Sequence, residues 1–395
     1  MRPETSQRMA DRAHDIVLLG ATGFTGSLTA EYLAQHADPG TRWALAGRNR
    51  EKLEAVRARL GDAHAQLPLL HADTGDPASM RQVAESTRVL ITTVGPYINY
   101  GEGAVAACAA AGTDYVDLTG EPEFVDLMWL RHHAEAERTG ARLVHSCGFD
   151  SIPYDLGALF TVAQLPEGEP IRLTAFMRIS AMISGGTYHS MLHIAGRLRQ
   201  AQRVARERRQ SEPRPTDRTV RGIAGRPHNE PDQGGWVVPY PTIDPLTVLR
   251  SARALARYGP DFSYSVYMVV GNLPMVAGLA AGVGGLAALA QLGPTRHLLG
   301  KLIDPGDGPS PERRARSWFR VRTVGEARDK RVVTEVSGGD PGYTETSKML
   351  AESALCLAHD ELPQTAGQVT PAVAMGDALR ERLERAGIRF EVVER

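Results

Sequence analysis

The sequence predicts an α/β protein of two domains, in which a doubly wound parallel sheet is followed by an α+β domain of mostly antiparallel sheet. Over residues 15–150, short apolar segments alternate with segments of helical periodicity, at the spacing of strand–helix–strand units. Beyond that, longer segments with partial alternation replace the pattern, as in an antiparallel sheet. We therefore expect a first domain over 15–150, a second over 151–364, and a return of the C-terminal segment 365–395 to the first.

Composition excludes several classes of protein. The 395 residues include 45 basic and 46 acidic side chains, a balance that does not suggest a nucleic-acid partner. Cys108, Cys147 and Cys356 are far apart, which argues against a disulfide framework and a metal site and fits a reducing cytosol. Residues 1–14 are polar and lack the apolar core of a secretory signal. We expect them to be a disordered lead-in to a cytoplasmic protein.

Three glycines mark the first strand-to-helix turn. The apolar segment DIVLLG (15–20) leads into GATGFTG, and a helical pattern follows over 24–37. Glycines at such a turn let the backbone approach a pyrophosphate, which the helix N-terminus attracts. We expect a cofactor cradle here, although a tight turn alone would also explain three glycines. Its predicted residues are Gly20, Thr22, Gly23, Phe24, Thr25 and Gly26.

Cations follow the second strand, RWALAGR (42–48). Enzymes that use NAD usually carry an acidic residue here, on the ribose hydroxyls. This sequence has Arg48 and then Lys52, which suit a 2′-phosphate. We therefore expect NADP(H) rather than NAD(H), the alternative being that these cations only solvate the next helix.

Four more strands continue the alternation, QLPLLHAD (66–73), RVLITTVGPY (88–97), DYVDLTGE (114–121) and ARLVHSCGFDS (141–151). A Rossmann-type sheet binds its ligand beyond the carboxyl ends of its strands. Asp73 then lies near the adenine edge. The other strand-end residues expected to face the cofactor are Val94, Gly95, Pro96, Tyr97, Gly120, Glu121, Cys147, Gly148 and Phe149.

Two segments of the second half leave alternatives open. Residues 197–226 hold ten arginines and three acidic residues, either a solvated helix with a flexible loop or a docking surface for an acidic partner. Residues 273–293 are uncharged and rich in glycine and alanine. We expect a helix there, buried or at an interface, which lines an apolar channel or a dimer contact. A peripheral membrane contact is the next alternative, and a membrane span the last.

The chain resembles the saccharopine dehydrogenase-like oxidoreductases, and within them the trans-acting enoyl reductases of actinobacterial lipid and polyketide synthesis. The motifs that carry the resemblance span nearly the whole chain. They are GATGFTG, AGRNREKL, VGPYINYGEGAVAACAAAGTDYVDLTGE, HSCGFDSIPYDLG, SGGTYHS, DPGYTETSKML and VTPAVAMGDALRERL. The resemblance implies a Rossmann domain, an α+β second domain, NADP(H), and reduction of an acyl chain held on a separate synthase.

The chemistry implied is hydride transfer to the β-carbon of a conjugated thioester, with a donor that stabilises the enolate. Tyr97, Tyr188, His189 and Lys348 are the catalytic candidates, by residue type and by their places in the matching motifs. Each also has an ordinary structural explanation, and Glu121 suits the nicotinamide ribose as well as proton transfer.

Two rival functions remain open at this level. One is an NADPH reductase of a small-molecule ketone or imine, which needs no carrier protein. The other is a non-catalytic NADP-binding protein at a lipid surface, with residues 273–293 as its membrane contact. We expect a homodimer and no metal ion in each case.

Overall fold

The computed structural model describes residues 12–181, 196–240, 242–290 and 309–394. Most of the expected lead-in therefore lies outside the described residues. Within the described part, Arg12 is buried, and its guanidinium donates to the carbonyl oxygen of Thr87 at 2.7 Å. His14 begins the first strand.

A parallel sheet forms the first domain, and its strands lie in the order β14-β6-β5-β4-β1-β2-β3 in the described chain. The strands are β1 (His14–Leu19), β2 (Trp43–Gly47), β3 (Leu69–His71), β4 (Thr87–Thr92), β5 (Asp114–Asp117), β6 (Arg142–Val144) and β14 (Gly367–Val369). In the centre, Leu18 pairs with Leu45 on one side and Ile91 on the other. Because helices cover both faces, β1 is a continuous apolar segment rather than an alternating one.

Helices connect these strands and lie against the sheet. They are α1 (Phe24–His36), α2 (Arg50–Arg59), α3 (Pro77–Ser86), α4 (Tyr97–Tyr100), α5 (Glu102–Ala111) and α6 (Pro122–Thr139). Their starts follow local chemistry. Asn49 Oδ1 accepts from the Lys52 amide at 2.9 Å to cap α2, and Asp76 caps α3 in the same way.

A second, mixed sheet forms the other domain, in the order β15-β13-β12-β7-β11-β10-β9, with β8 also paired to β11. Its strands are β7 (Ile171–Ser180), β8 (Thr219–Gly222), β9 (His228–Glu230), β10 (Gly235–Pro239), β11 (Asp261–Gly271), β12 (Trp318–Ala327), β13 (Lys330–Gly338) and β15 (Arg389–Glu394). Most described pairs are antiparallel, but β11 runs parallel to β7 and to β8. The predicted fold class is confirmed.

The remaining α-helices of the described chain lie beyond β6 in the sequence. They are α7 (Ile152–Ala163), α8 (Leu198–Ser211), α9 (Asp244–Ala254), α10 (Leu273–Ala290), α11 (Pro311–Arg314), α12 (Thr344–His359), α13 (Pro371–Ala374) and α14 (Gly376–Arg385). Helix α12 packs against α1 and β4, and α7 packs against β12 and β13. Buried side chains of both sheets therefore form one continuous cluster, from Ile16 to Phe319.

The C-terminal segment divides between the two sheets. Strand β14 extends the parallel sheet beside β6, whereas β15 pairs with β13 of the second sheet. Within residues 365–395, the chain therefore contributes first to the parallel sheet and then to the second sheet.

The described side chains of helix α10 are mostly exposed, so the expectation of a buried helix is wrong. Leu273 and Met275 are more than half exposed, and Val276 is the buried side chain among those described. Glycine and alanine offer too little side chain to hold the helix against β10 and β11. Among the described residues, no helix combines the length and apolar character that crossing a membrane requires. A dimer or membrane contact for α10 stays a prediction.

Candidate active site

The three glycines between β1 and α1 have three different environments. Gly20 has φ +92°, a conformation that side chains rarely adopt. A β-carbon on Gly26 would lie 2.2 Å from the carbonyl oxygen of Gly20, so the helix can approach the strand only with glycine there. A β-carbon on Gly23 would have its nearest neighbour at 3.5 Å, an ordinary contact. Because the fold itself does not demand glycine at Gly23, the open space suits the approach of a pyrophosphate.

The N-terminus of α1 has the features of an anion-binding site. Its N-cap, Gly23, supplies no side-chain cap, and the first turn holds no acidic residue. The first amide groups of the helix, which include those of Phe24 and Thr25, are the groups that bind phosphate at such a position. The Phe24 ring is held edge-on by Tyr343, with centroids 4.6 Å apart, and the Arg314 guanidinium lies 5.4 Å above it. Arg314 is a cation beside the cradle that the sequence did not indicate.

The residues predicted to contact the 2′-phosphate and the adenine lie just beyond β2 and β3. Arg48 directly follows β2 and is exposed, and Lys52 is exposed in the first turn of α2. Neither side chain forms an ion pair with a described residue, whereas the neighbouring Arg50 pairs with Glu54 at 3.0 Å. Asp73 follows β3, where its carboxylate accepts from the Gly75 amide at 3.0 Å and orders the turn.

The carboxylate of Glu121 anchors the loop after β4. Val94, Gly95 and Pro96 lead into α4, whose first amides need acceptors. The Glu121 carboxylate accepts from the Tyr97 amide at 3.0 Å and from the Ile98 amide at 3.0 Å. Both oxygens are thus engaged inside the fold, so this geometry favours loop anchoring over contact with the ribose.

The loops after β5 and β6 form the remaining wall. Gly120 is partly exposed, whereas Cys147, Gly148 and Phe149 are buried. The Phe149 amide donates to Thr346 Oγ1 at 3.2 Å, and its ring meets Phe319 edge-on at 5.0 Å. The motif DPGYTETSKML therefore packs against this loop.

The catalytic candidates differ in what their side chains contact. The buried Tyr97 hydroxyl donates to the Thr92 carbonyl oxygen at 3.0 Å, and burial raises the pKa of Tyr97 well above its ordinary value. Lys348 pairs with Glu345 at 2.8 Å. Tyr188 and His189 lie outside the described residues. The catalytic role of all four stays a prediction. The side chains of Tyr97 and Lys348 already interact with other residues of the fold.

A cluster of acids and tyrosines at the junction of the two domains was missed by sequence reasoning. A β-carbon on Gly120 would lie 3.0 Å from Asp150 Oδ2, which places this carboxyl at the end of β5. Burial raises the pKa of Asp150 to about 6. Among the described residues no cation or hydrogen-bond donor meets its carboxylate. The motif HSCGFDSIPYDLG contains Asp150, but only the fold shows that it lies beside Gly120.

The charge of Asp150 acts on Asp244, Tyr240 and Tyr154, and that of Asp244 acts on Tyr264. Burial, followed by the charge of Asp150, raises the pKa of Asp244 well above its ordinary value. The same two causes raise the pKa of Tyr240. The hydroxyls of Tyr154 and Tyr264 are buried, and no hydrogen-bond partner meets them in the described chain. This arrangement favours the protonated forms of Asp150, Asp244 and Tyr240, as expected where a carbon or an oxygen is to be protonated. Among the described residues, no group of three His, Cys, Asp or Glu side chains is arranged to hold a metal ion.

Known proteins share this architecture. The family model of the saccharopine dehydrogenase NADP-binding domain matches residues 16–144. A protein of Mycobacterium tuberculosis (strain ATCC 25618 / H37Rv), provisionally named a trans-acting enoyl reductase, is 40% identical over 412 residues, 96% of this chain and 97% of that protein. The trans-acting enoyl reductase of Mycobacterium ulcerans (strain Agy99) is 37% identical over 411 residues, with the same coverage.

A solved structure agrees at the level of the fold. The saccharopine dehydrogenase (L-Glu forming) of Saccharomyces cerevisiae gives a TM-score of 0.57 at 11% identity, over 96% of this chain and 100% of that chain. Fold and glycine cradle, with the matching NADP-binding domain, define an NAD(P)H-dependent oxidoreductase of the saccharopine dehydrogenase-like type. On its full-length similarity to these relatives, the chain belongs to the trans-acting enoyl reductase family.

Proposed function

We propose that the protein is an NADPH-dependent enoyl reductase that saturates the conjugated double bond of an acyl or polyketide thioester presented by a separate synthase. The observation that carries the proposal is the similarity over 96% of the chain to proteins of that name. The cradle at Gly23 and the cations Arg48 and Lys52 provide the chain's own support for the cofactor.

The residues of the chain divide the work of the reaction. Gly23 and the N-terminus of α1 hold the pyrophosphate, and Arg48 holds the 2′-phosphate. Bound NADPH supplies the hydride, which is transferred to the β-carbon of the thioester. Glu121 keeps the loop before α4 in place, where it would form part of the nicotinamide site.

Asp150 is our candidate for the group that protonates the α-carbon. It lies at the end of β5, and its carboxyl has no competing donor or cation in the described chain. The desolvated site keeps the acid protonated to a higher pH than in water. Once the proton has left, burial disfavours the Asp150 carboxylate, so reprotonation is favoured.

The test combines substrate and pH. Purified protein is mixed with NADPH and trans-2-enoyl thioesters of short and long chain, free and on a carrier protein, and NADPH loss is followed against pH. We expect oxidation that depends on the enoyl group, with kcat falling as pH rises through about 6. The sign follows because the proton donor must be protonated. Asp150→Asn is expected to lower kcat by about 10²–10⁴-fold, the usual contribution of a general acid, and to remove that fall.

Asp73→Asn is the matched control, an Asp-to-Asn change at a strand end on the adenine side, and its kcat–pH profile should keep the fall. If NADPH binds tightly but no enoyl thioester is reduced, the enzyme proposal fails. If the fall persists in Asp150→Asn, Asp150 is not the donor. Turnover of a small ketone or imine, without any thioester, would favour the rival reductase.

A further inference from the structure

A cavity of about 490 Å³ lies where α6, α9, β14 and the segment after α8 meet. No residue of the glycine loop lines it. Its charged and aromatic lining includes Trp129, His145, Arg208, Arg214, Arg250 and Arg253. The cavity therefore brings together four arginines from two regions of the sequence that the function so far does not use.

Positive charge exceeds negative charge at this cavity. Arg208 contacts Asp126 and Glu212, each at 3.0 Å. Arg250 shares the same Asp126 oxygen. Arg214 and Arg253 form no ion pair with a described residue. Asp126, Glu212 and Glu137 thus place three carboxylates against four guanidinium groups. Glu137 lies 3.5 Å from His133, but burial lowers the pKa of that histidine, so it adds no positive charge near neutral pH.

The burial of this excess positive charge lowers the pKa of two of the arginines. Burial, then the charge of Arg208, lowers the pKa of Arg250 to about 10. Burial also lowers the pKa of Arg253, and Arg208 and Arg214 add to that lowering against the opposing effect of Glu212. An arginine pKa falls only where its positive charge is poorly compensated. A bound anion would compensate it.

Two buried polar atoms in the lining lack a partner among the described residues. His145 is 5% exposed, its Nδ1 is fixed by Asp117 at 2.7 Å, and its Nε2 meets no hydrogen-bond partner in the described chain. Arg208 is 3% exposed, its guanidinium lies 5.1 Å above Trp129, and its Nε is likewise buried without a partner. Buried polar atoms are nearly always satisfied, so unsatisfied ones that line a cationic cavity point to a missing ligand.

We propose that this cavity binds the phosphate of a phosphopantetheine thioester substrate, an inference that rests on the proposed function. Planar guanidinium groups recognise phosphate through paired hydrogen bonds. Such a substrate carries its phosphate at one end of the arm and its thioester at the other. The cavity suits it because its wall adjoins the reaction site.

Two hydrogen bonds connect that wall with the Asp150 region. Ser146 lines the cavity, and its hydroxyl donates at 2.6 Å to the carbonyl oxygen of Thr119, the residue before Gly120. Thr247 also lines the cavity, and its hydroxyl lies 3.1 Å from that of Ser151, the residue after Asp150. A ligand anchored by phosphate at the arginines would thus lie beside the candidate proton donor.

The test measures binding without turnover. Isothermal titration of the full-length protein compares inorganic phosphate, 4′-phosphopantetheine, pantetheine and coenzyme A. We expect 4′-phosphopantetheine to bind at least about tenfold more tightly than pantetheine, the value of one charge-assisted contact. Arg214→Ala and Arg253→Ala should each remove about tenfold of that preference. Both lack an ion-pair partner in the described chain, so the variants should keep the thermal stability of the parent.

Arg206→Ala is the matched control, an exposed arginine of α8 that does not line the cavity, and it should change nothing. Equal affinity for pantetheine and its phosphate would overturn the proposal, as would variants that keep the full preference. NADPH affinity must stay unchanged in Arg214→Ala and Arg253→Ala, since a parallel loss would assign the cavity to the cofactor instead.

The titration separates two sources of the phosphate and two kinds of failure. If coenzyme A gains further affinity from its additional phosphates, free thioesters are the ligands, whereas equal binding of 4′-phosphopantetheine and coenzyme A indicates a carrier-borne arm. Phosphate-dependent binding without enoyl turnover would sink the proposed function alone. Enoyl turnover that is indifferent to the phosphate would sink this inference alone.

Discussion

At the end of β2, Arg48 is an exposed cation with no ion pair among the described residues, next to an arginine that is paired. Its expected ligand is the 2′-phosphate, the group that distinguishes NADPH from NADH. Arg48→Asp replaces attraction by repulsion at that group alone. We expect NADPH affinity to fall at least about tenfold more than NADH affinity, from the loss of one charge-assisted contact.

Fluorescence titration with the two cofactors measures this difference. Arg50→Ala, which removes the neighbouring arginine that pairs with Glu54, is the control and should leave both affinities nearly unchanged. Equal weakening of NADPH and NADH by Arg48→Asp would show that Arg48 does not hold the 2′-phosphate.

Residues that act through local interactions could be predicted from the sequence, whereas residues whose properties depend on distant parts of the chain could not. Gly20, Gly23 and Arg48 act through the turn and strand that carry them, so their spacing alone indicated a nucleotide site. Asp150 has its raised pKa because β5 and the second domain surround it. No local pattern shows that burial, and the same holds for the unpaired Nε2 of His145.

Among the elements, α7, α9 and α13 are joined by one carboxyl group. Asp155 in α7 accepts from the Ser251 hydroxyl at 2.5 Å and from the Ala372 amide at 2.9 Å. Burial raises its pKa to about 7, although these two hydrogen bonds oppose the rise. The buried acid therefore connects the second domain with the returning C-terminal segment.

Asp155→Ala should lower the free energy of unfolding by about 1–3 kcal/mol for each donor left unsatisfied. Asp155→Asn should be tolerated, because its oxygen can accept from Ala372 while its amide donates to Ser251. Folding raises the pKa of Asp155 to about 7, so the protonated carboxyl stabilises the folded state. The free energy of unfolding of the wild type therefore falls, relative to that of Asp155→Asn, as pH rises through the acidic range. Above about pH 7 the difference between the two proteins no longer changes.

Denaturant unfolding at several pH values checks both statements. Thr29→Val is a control for a buried hydroxyl that bonds locally, to the Thr25 carbonyl in the same helix. An Asp155→Ala protein as stable as the wild type would contradict this account of the junction. So would a wild-type stability that rises, relative to Asp155→Asn, as the pH increases toward 7.

The periodicity of each segment decided how well its element could be predicted. Strands β1 to β6 were found because each is a short apolar segment followed by a helix. Strand β14 has only three residues, and its place beside β6 depends on the whole fold. The basic segment was left open between solvated and docking roles. In the structure Arg208 is buried against Asp126, and Arg197 pairs with Glu123 at 2.6 Å.

At the scale of the whole molecule, two sheets share one core and expose the carboxyl edge of the parallel sheet to the second domain. The cofactor cradle belongs to the first sheet, whereas Asp244 and Tyr240 come from the second domain. The reaction site is thus completed only when both domains fold together. This is why the sequence predicted the cofactor in some detail but not the acid that we assign to the substrate side.

The most direct test of the central claim is the fate of a labelled hydride in a single turnover. Protein, NADPH deuterated on both faces of nicotinamide C4 and a trans-2-enoyl thioester react in ordinary water, and the acyl product is analysed by mass spectrometry and NMR. Our account predicts a saturated thioester with one deuterium on its β-carbon and a solvent-derived proton on its α-carbon. Recovery of unlabelled enoyl thioester, or deuterium on any other carbon, would contradict it.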